Sequence, residues 1–268
     1  MTNPLDPTPL LSVIIPAYNV ERYVLECVHS VLGSSVQDLE VLVFVDACTD
    51  NTGAKVTSLD NHRVRVFHSA VNRGPAYGRN RLFEQARGRF IALVDADDIV
   101  LPDRFSAQLG ELERRDLIAV GCGMIWQPAG HIRMPVTGPK RVREVQMQGG
   151  KAIMGPTLTF RREVLDTGLR YDEDLRRGED RLFEARIQER YPLRTDNVPQ
   201  ALYHYRRHAG SLMATQRQVP AEVRRIDAEV HRRIMAVFGK PATEPPSNER
   251  SVSRRVARRR RKDVRRRR

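Results

Sequence analysis

The chain has 268 residues, 46 of them Lys or Arg against 33 Asp or Glu, for a net charge of +13 with 40% hydrophobic residues. That apolar share supports one large core or two small ones, and no run approaches the ~18 apolar residues of a membrane-spanning helix. The start, MTNPLDPTPL, lacks a basic stretch followed by an apolar one, and three scattered cysteines (Cys27, Cys48, Cys122) suit neither a disulfide framework nor a zinc site, so a reducing, cytoplasmic setting is expected.

Four apolar, β-rich runs come first: LLSVIIP (10–16), LEVLVFVD (39–46), VRVFHS (64–69) and RFIALVD (89–95). Between the first two, ERYVLECVHSVLGS places Val24, Val28, Val31 and Leu32 on one helical stripe and stops at Gly33. NTGAKVTSL and YGRNRLFEQARG are the next helix candidates. Near-continuous Val/Ile/Leu strands alternating with helices predict an α/β fold, a mostly parallel central sheet covered by helices on both faces. LPDRFSAQLGELERR reads as a helix with Pro102 and Asp103 at its start, and DLIAVGCGMIW (116–126) as a strand. Residues 127–150 are punctuated by Pro and Gly and are expected to be irregular. PTLTFRREVLDTGL suggests a strand and a short helix, and GEDRLFEARIQERY a helix opened by acids. AEVRRIDAEVHRRIMAVFG is an amphipathic helix with Val223, Ile226, Val230, Ile234 and Val237 on one side.

The charge is not spread evenly. Residues 250–268 hold twelve Lys or Arg and one acid, Asp263, a net +11 that leaves only +2 for the rest of the chain. PATEPPSNERSVSRR, rich in Pro, Ser and charge, reads as a disordered linker into an Arg-rich tail. The tail has no aromatic residues to stack on bases, so specific nucleic-acid recognition is not expected of it. Its affinity would be electrostatic and salt-dependent. An anionic membrane surface at the inner leaflet is a fitting partner, each Lys or Arg there adding about 1 kcal/mol.

Asp46 closes the second strand, and Asp95, Asp97 and Asp98 crowd the end of the fourth. In open α/β sheets ligands bind outside the carboxyl ends of the strands. Clustered carboxylates repel and raise one another's pKa unless a cation neutralises them. Singly, Asp46 or Asp95 reads equally as a helix cap. Together they point to a hard cation, Mg²⁺ or Mn²⁺, which takes oxygen ligands and commonly accompanies a phosphorylated substrate.

SVIIPAYN, VDACTDNT, NRGPAYGRN, VDADDIVLPDR, GED and YRRHAGS occur in the order and approximate spacing of family 2 glycosyltransferases, and residues 10 to 215 resemble that family. The resemblance implies a GT-A fold and an inverting transfer from a nucleotide-sugar donor to an acceptor hydroxyl, on a glycan or lipid-linked molecule of the cell envelope or a polysaccharide. Tyr18 then corresponds to the aromatic on the nucleobase, Asp46 to the acid that bonds it, and Arg79 to the arginine near base and diphosphate. Pro16, Ala17 and Ala96 belong with them in nucleotide-sugar binding. VDACTDNT has Val45 where the family often has a first Asp and is one residue shorter, which leaves the base open. Asp95 and Asp97 match a DxD motif, Asp97 as metal ligand and Asp95 near the ribose or a metal-bound water, with Asp98 capping the next turn. Asp180 resembles the catalytic base and Glu179 is its rival, because helical neighbours point about 100° apart. His208 resembles a histidine that closes over metal or diphosphate, and Ser211 a phosphate contact. The implied layout is a transferase domain over 1–218 (a nucleotide half, 1–110, and an acceptor half, 111–218), a helix over 219–240, and a tail over 241–268.

Two other readings stay open on sequence alone: a catalytically silent nucleotide-sugar binder, and a nucleic-acid-binding protein acting through its tail. The tail itself is testable. The full chain is expected to float with anionic liposomes and a chain lacking residues 250–268 is not; equal flotation of both removes the tether.

Overall fold

The computed structural model describes residues 8–175, 177–211 and 220–240; the expectations for the linker and the Arg-rich tail concern residues outside these. Strands β1 (Leu11–Ala17), β2 (Leu39–Asp46), β3 (Val64–Ser69) and β4 (Phe90–Leu93) alternate with helices α1 (Val24–Leu32), α2 (Thr52–Thr57) and α3 (Pro75–Gln85). They form a parallel block in which β1 lies between β2 and β4, with β3 outside β2.

Alternation along these strands builds two core layers, since successive side chains point to opposite faces. Val13 and Ile15 of β1, with Val41 and Val43 of β2, pack against Val24, Cys27, Val28 and Val31 of α1. Ile14, Leu42, Phe44, Ile91 and Leu93 pack on the other face against Leu82 and Phe83 of α3. Each fully buried Val, Leu, Ile or Phe contributes about 1.5–3 kcal/mol.

Beyond β4 the sheet becomes mixed. A two-residue β5 (Ile99–Val100) and helix α4 (Arg104–Arg114) lead to β6 (Ala119–Gln127). The segment expected to be irregular holds β7 (His131–Arg133), which pairs with β6, and helix α5 (Pro139–Gln146). A 3₁₀ turn (Gly155–Thr157) precedes β8 (Thr159–Arg161), which runs antiparallel between β4 and β6. After α6 (Glu163–Asp166) and α7 (Glu179–Arg190) comes β9 (Thr195–Arg206), parallel to β6 and antiparallel to β5. The full order is β3-β2-β1-β4-β8-β6-β9-β5.

Helix α8 (Pro220–Val237) packs Val230, Ile234 and Met235 against Leu175, Leu182 and Ala185, at and beside α7. Gly178, the residue before α7, is left-handed (φ 73°), and a Cβ there would lie 3.1 Å from both methyls of Val230. Only glycine meets both conditions cheaply, so α8 sits directly on the turn that starts α7. No helix among the described residues is long and apolar enough to cross a membrane.

At the end of the sheet away from the clustered acids, Glu40 is 3% exposed and ties four segments together. It accepts hydrogen bonds from Ser12 Oγ (2.7 Å), Arg65 Nη1 (2.9 Å), Arg87 N (2.8 Å) and Arg87 Nε (3.1 Å). Burial pushes its carboxyl up, but these donors outweigh burial and hold it below the ordinary glutamate value. A depressed folded pKa gives stability that is present above the unfolded value and is lost as pH falls through the folded one. Glu40→Gln should therefore cost about 1–3 kcal/mol at pH 7, read by urea unfolding, and the gap to wild type should close as pH drops below about 4.

Candidate active site

The motif loops are bound to one another before any ligand is considered. Asn19, after the exposed Tyr18, accepts the Thr49 N–H (2.8 Å) and donates to Thr49 Oγ1 (3.1 Å). Val20 N–H donates to Thr52 Oγ1 (2.9 Å), and Glu21 N–H to Asp50 (3.0 Å). PAYN and DACTDNT, some 30 residues apart in sequence, thus form one rim at the carboxyl ends of β1 and β2. Pro16 and Ala17 end β1 beneath it, Ala17 fully covered, while the Tyr18 ring is 50% exposed and open to a ligand.

Asp46, at the end of β2, is 4% exposed. Its two oxygens accept the N–H groups of Arg73 (3.0 and 3.2 Å) and Gly74 (2.7 Å). Those are the residues that lead into α3, so its carboxylate organises the start of that helix. A carboxylate offers about four lone-pair sites, and this loop uses three.

Helix α3 carries Arg79 to the centre. Arg79 is 6% exposed, and its guanidinium lies over the Tyr171 ring, 5.3 Å from its centroid. Its Nη2 donates to Asp95 Oδ1 (2.9 Å) and its Nη1 to Glu179 Oε1 (3.1 Å). One side chain therefore joins the DADD turn to the start of α7. Asp95 follows β4 by two residues, and its N–H donates to Tyr203 Oη of β9 (3.0 Å). Ala96, between the acids, is buried.

The other two acids of the turn face elsewhere. Asp97 Oδ2 lies 2.8 Å from His208 Nε2, both side chains partly exposed. The His208 ring packs against Tyr23, centroids 4.6 Å apart. Asp98 is fully buried, and its Oδ1 accepts the Arg206 N–H (2.7 Å), which ties the turn to β9. Asp98 N–H also bonds Asp95 O (3.1 Å) within the turn. Ser211 Oγ donates to His208 O (2.9 Å). A cleft of about 320 Å³ runs between the Asn19–Tyr23 loop and the His208–Gly210 segment.

Glu179 and Asp180 part company as helix geometry requires. Glu179 turns to Arg79, whereas Asp180 Oδ2 accepts from Lys151 Nζ (2.9 Å) and Oδ1 from the Arg181 N–H (2.8 Å). Gly155 packs on the Asp180 side chain; a Cβ there would lie 2.8 Å from Oδ2.

The electrostatics record crowded acids. Burial raises Asp95, and Asp97 and Asp180 raise it further against the pull of Arg79. Asp98 is raised well above the ordinary value by burial and by Asp97 and Asp95. Glu179 is raised by burial and by Asp180. Asp180 goes the other way: burial would raise it, but Lys151 and then Arg79 bring it down to about 2. Asp95 and Arg79 both feel Asp180, which places the two acidic motifs around one centre.

A divalent cation suits these residues in part. Among the described residues no three His, Cys, Asp or Glu side chains converge tightly enough to hold an ion alone. Asp97 and His208 supply one carboxylate and one imidazole. Mg²⁺ and Mn²⁺ are commonly held in this way, through a few protein ligands with water and substrate phosphate completing the shell.

Lys151, Tyr203, Tyr23 and Gly155 are absent from the sequence-based site. They lie outside every motif, and each matters only through a partner distant along the chain.

Residues 12–169, more than half of the chain, match the model of glycosyl transferase family 2. The chain is 31% identical over 226 residues to the uncharacterized glycosyltransferase EpsJ of Bacillus subtilis, covering 76% of this chain but 63% of EpsJ, so it spans less than two thirds of that relative. Among solved structures, S. aureus TarS (residues 1–349) in complex with UDP-GlcNAc superposes with a TM-score of 0.69 at 22% identity, over 83% of this chain and 66% of that one. The mannosyltransferase PcManGT from Pyrobaculum calidifontis, in complex with GDP-Man and Mn²⁺, gives 0.63 at 20% identity, over 89% and 66%. At these identities the structures speak to the fold alone, a GT-A type α/β fold. The motif order, the mixed sheet that gathers the motifs, and a family model matching most of their span lead to one statement: the chain belongs to glycosyl transferase family 2.

Proposed function

We propose that this chain is an inverting, metal-dependent glycosyltransferase that moves a sugar from a nucleoside-diphosphate donor to an acceptor hydroxyl. The observation that carries the reading is the Arg79 bridge, one buried guanidinium bonded to both Asp95 and Glu179. It ties the turn that carries Asp95 to the helix start that carries Glu179 and, next to it, Asp180. The complexes formed by TarS with UDP-GlcNAc and by PcManGT with GDP-Man and Mn²⁺ support this reading.

Tyr18 presents its ring to the nucleobase, beside Pro16 and Ala17. Asp46 borders the base while its carboxylate holds the loop into α3. Asp95, Ala96 and Arg79 receive the ribose and diphosphate, and Asp97 and His208 hold Mg²⁺ or Mn²⁺. A cation held there would supply positive charge against the diphosphate and the charge that develops as it leaves. Residues 1–110 form the nucleotide half and 111–218 the acceptor half.

Asp180 is the base, because Glu179 is committed to Arg79. The acceptor O–H proton passes to the Asp180 carboxylate as the acceptor oxygen bonds the anomeric carbon. The anomeric C–O bond breaks with its electron pair going to the diphosphate. With a pKa of about 2, Asp180 is ionised at any working pH and ready to accept. A glycan or lipid-linked hydroxyl of the envelope fits as acceptor, with the basic tail holding the protein at an anionic inner-leaflet surface.

A panel of UDP-, GDP-, CDP- and dTDP-sugars with Mn²⁺ should contain a donor that raises the melting temperature, by about 2.7 kcal/mol of stabilisation at 100-fold excess over Kd. Asp97→Ala is expected to lose the Mn²⁺-dependent part of that shift. Asp180→Asn should keep the shift and lose transfer by about 10²–10⁴-fold. Transfer by Asp180→Asn at the wild-type rate would overturn the base assignment, and a chain unmoved by every donor would overturn the transferase reading.

A further inference from the structure

We infer that Lys151 is a positioning residue for Asp180: its ammonium pins one carboxylate oxygen and seats the side chain against Gly155 in the orientation in which it meets an acceptor hydroxyl. The inference rests on the reading of Asp180 as base. Lys151 lies between α5 and the 3₁₀ turn, in a stretch without a motif, and its Nζ is 2.9 Å from Asp180 Oδ2. The Arg181 N–H holds Oδ1 at 2.8 Å. On the remaining side the Gly155 backbone is so close that a methyl there would lie 2.9 Å from the Asp180 Cβ. These three contacts restrict how the carboxylate can turn. Two of its four lone-pair sites are used, and the others remain for a hydroxyl.

The surroundings make a cation at this point necessary. Asp180 feels Arg79 from α3, Asp95 from the turn after β4, Tyr171 from the loop before α7, and Glu179, Arg181 and Glu184 on its own helix. Three of these are carboxylates, and the Arg79 Nη1 and Nη2 groups already serve Glu179 and Asp95. Without the Lys151 ammonium, Asp180 would rotate toward Arg79 or take up a proton. The pair is also accessible, with 28% of the Lys151 side chain and 16% of the Asp180 side chain exposed. Lysine here weakens the base while orienting it, and it favours release of the proton once Asp180 has taken it.

The test compares the full chain with K151Q, K151R and D180N. A ¹³C-carboxyl NMR titration, with Asp180 assigned through D180N, needs no substrate. In wild type and K151R this carboxyl should stay ionised to the acid limit of folding, whereas in K151Q it should titrate at about pH 4 or above. Donor hydrolysis, with water as acceptor and UDP-GlcNAc or GDP-Man plus Mn²⁺ as probe, should fall about 10- to 100-fold in K151Q and recover in K151R, with KM for the donor unchanged. K151M provides the same comparison if K151Q does not fold. An identical Asp180 titration and rate in wild type and the neutral variants overturns the inference and leaves the base reading standing. Undiminished hydrolysis by D180N instead overturns the base reading itself.

Discussion

A buried guanidinium holds this site together. Arg79 stands on α3 between two acids that belong to different parts of the fold, Asp95 past β4 and Glu179 at the start of α7. Removing it would leave Glu179 buried without its cation and take the partner from the partly exposed Asp95, and stripping a buried charge of its partner is costly. Asp46 fixes the loop from which α3 springs, and Tyr171 covers the face of the guanidinium. Much of the surrounding structure thus serves to hold the Arg79 guanidinium between the turn after β4 and the start of α7.

The same arrangement distinguishes two adjacent acids without any difference in their chemistry. Glu179 accepts a hydrogen bond from Arg79 through Oε1. Asp180, turned by one helical step, meets Lys151 and the Gly155 backbone. Their carboxyls are accordingly shifted in opposite directions, Glu179 up through burial and Asp180 down through Lys151. Divergence of this kind between neighbouring groups marks acids held for different tasks, in keeping with the proposed role of Asp180.

How much could be read in advance depended on how local the cause was. β1, β2, β3 and α1 were visible because their cause is local: apolar residues run almost unbroken along β1 and β2 and recur in β3, with β1 buried on both faces (Val13 and Ile15 on one, Ile14 on the other), and they recur at helical spacing in α1. β9 was not. Its sequence, TDNVPQALYHYR, mixes polar residues with Pro199, and it becomes a strand by pairing with β6 across shifts at Gly121 and Gly123 that accommodate the extra residues. Proline in a strand is tolerated at such irregularities, but nothing in the local pattern announces one. β7 and α5 lie in the stretch expected to be irregular for a related reason, since β7 is a short partner of β6 and α5 buries little beyond Val142 and Gln146. Within the site, the acids and Arg79 were legible as types at strand ends and helix starts. That Asp46 spends its oxygens on the loop before α3, and that Asp98 accepts from β9 where a cap on the next turn was expected, follows only from where distant backbone arrives.

Helix α8 has a place in this scheme that its distance along the chain conceals. Val230 rests on the left-handed Gly178, whose next two residues are Glu179 and Asp180. The amphipathic segment is therefore the floor beneath the two acids rather than a spacer on the way to the basic terminus. Anyone shortening the protein to strip its arginines would have to stop after residue 240, because a cut before Pro220 takes away the surface on which the turn before Glu179 and Asp180 stands.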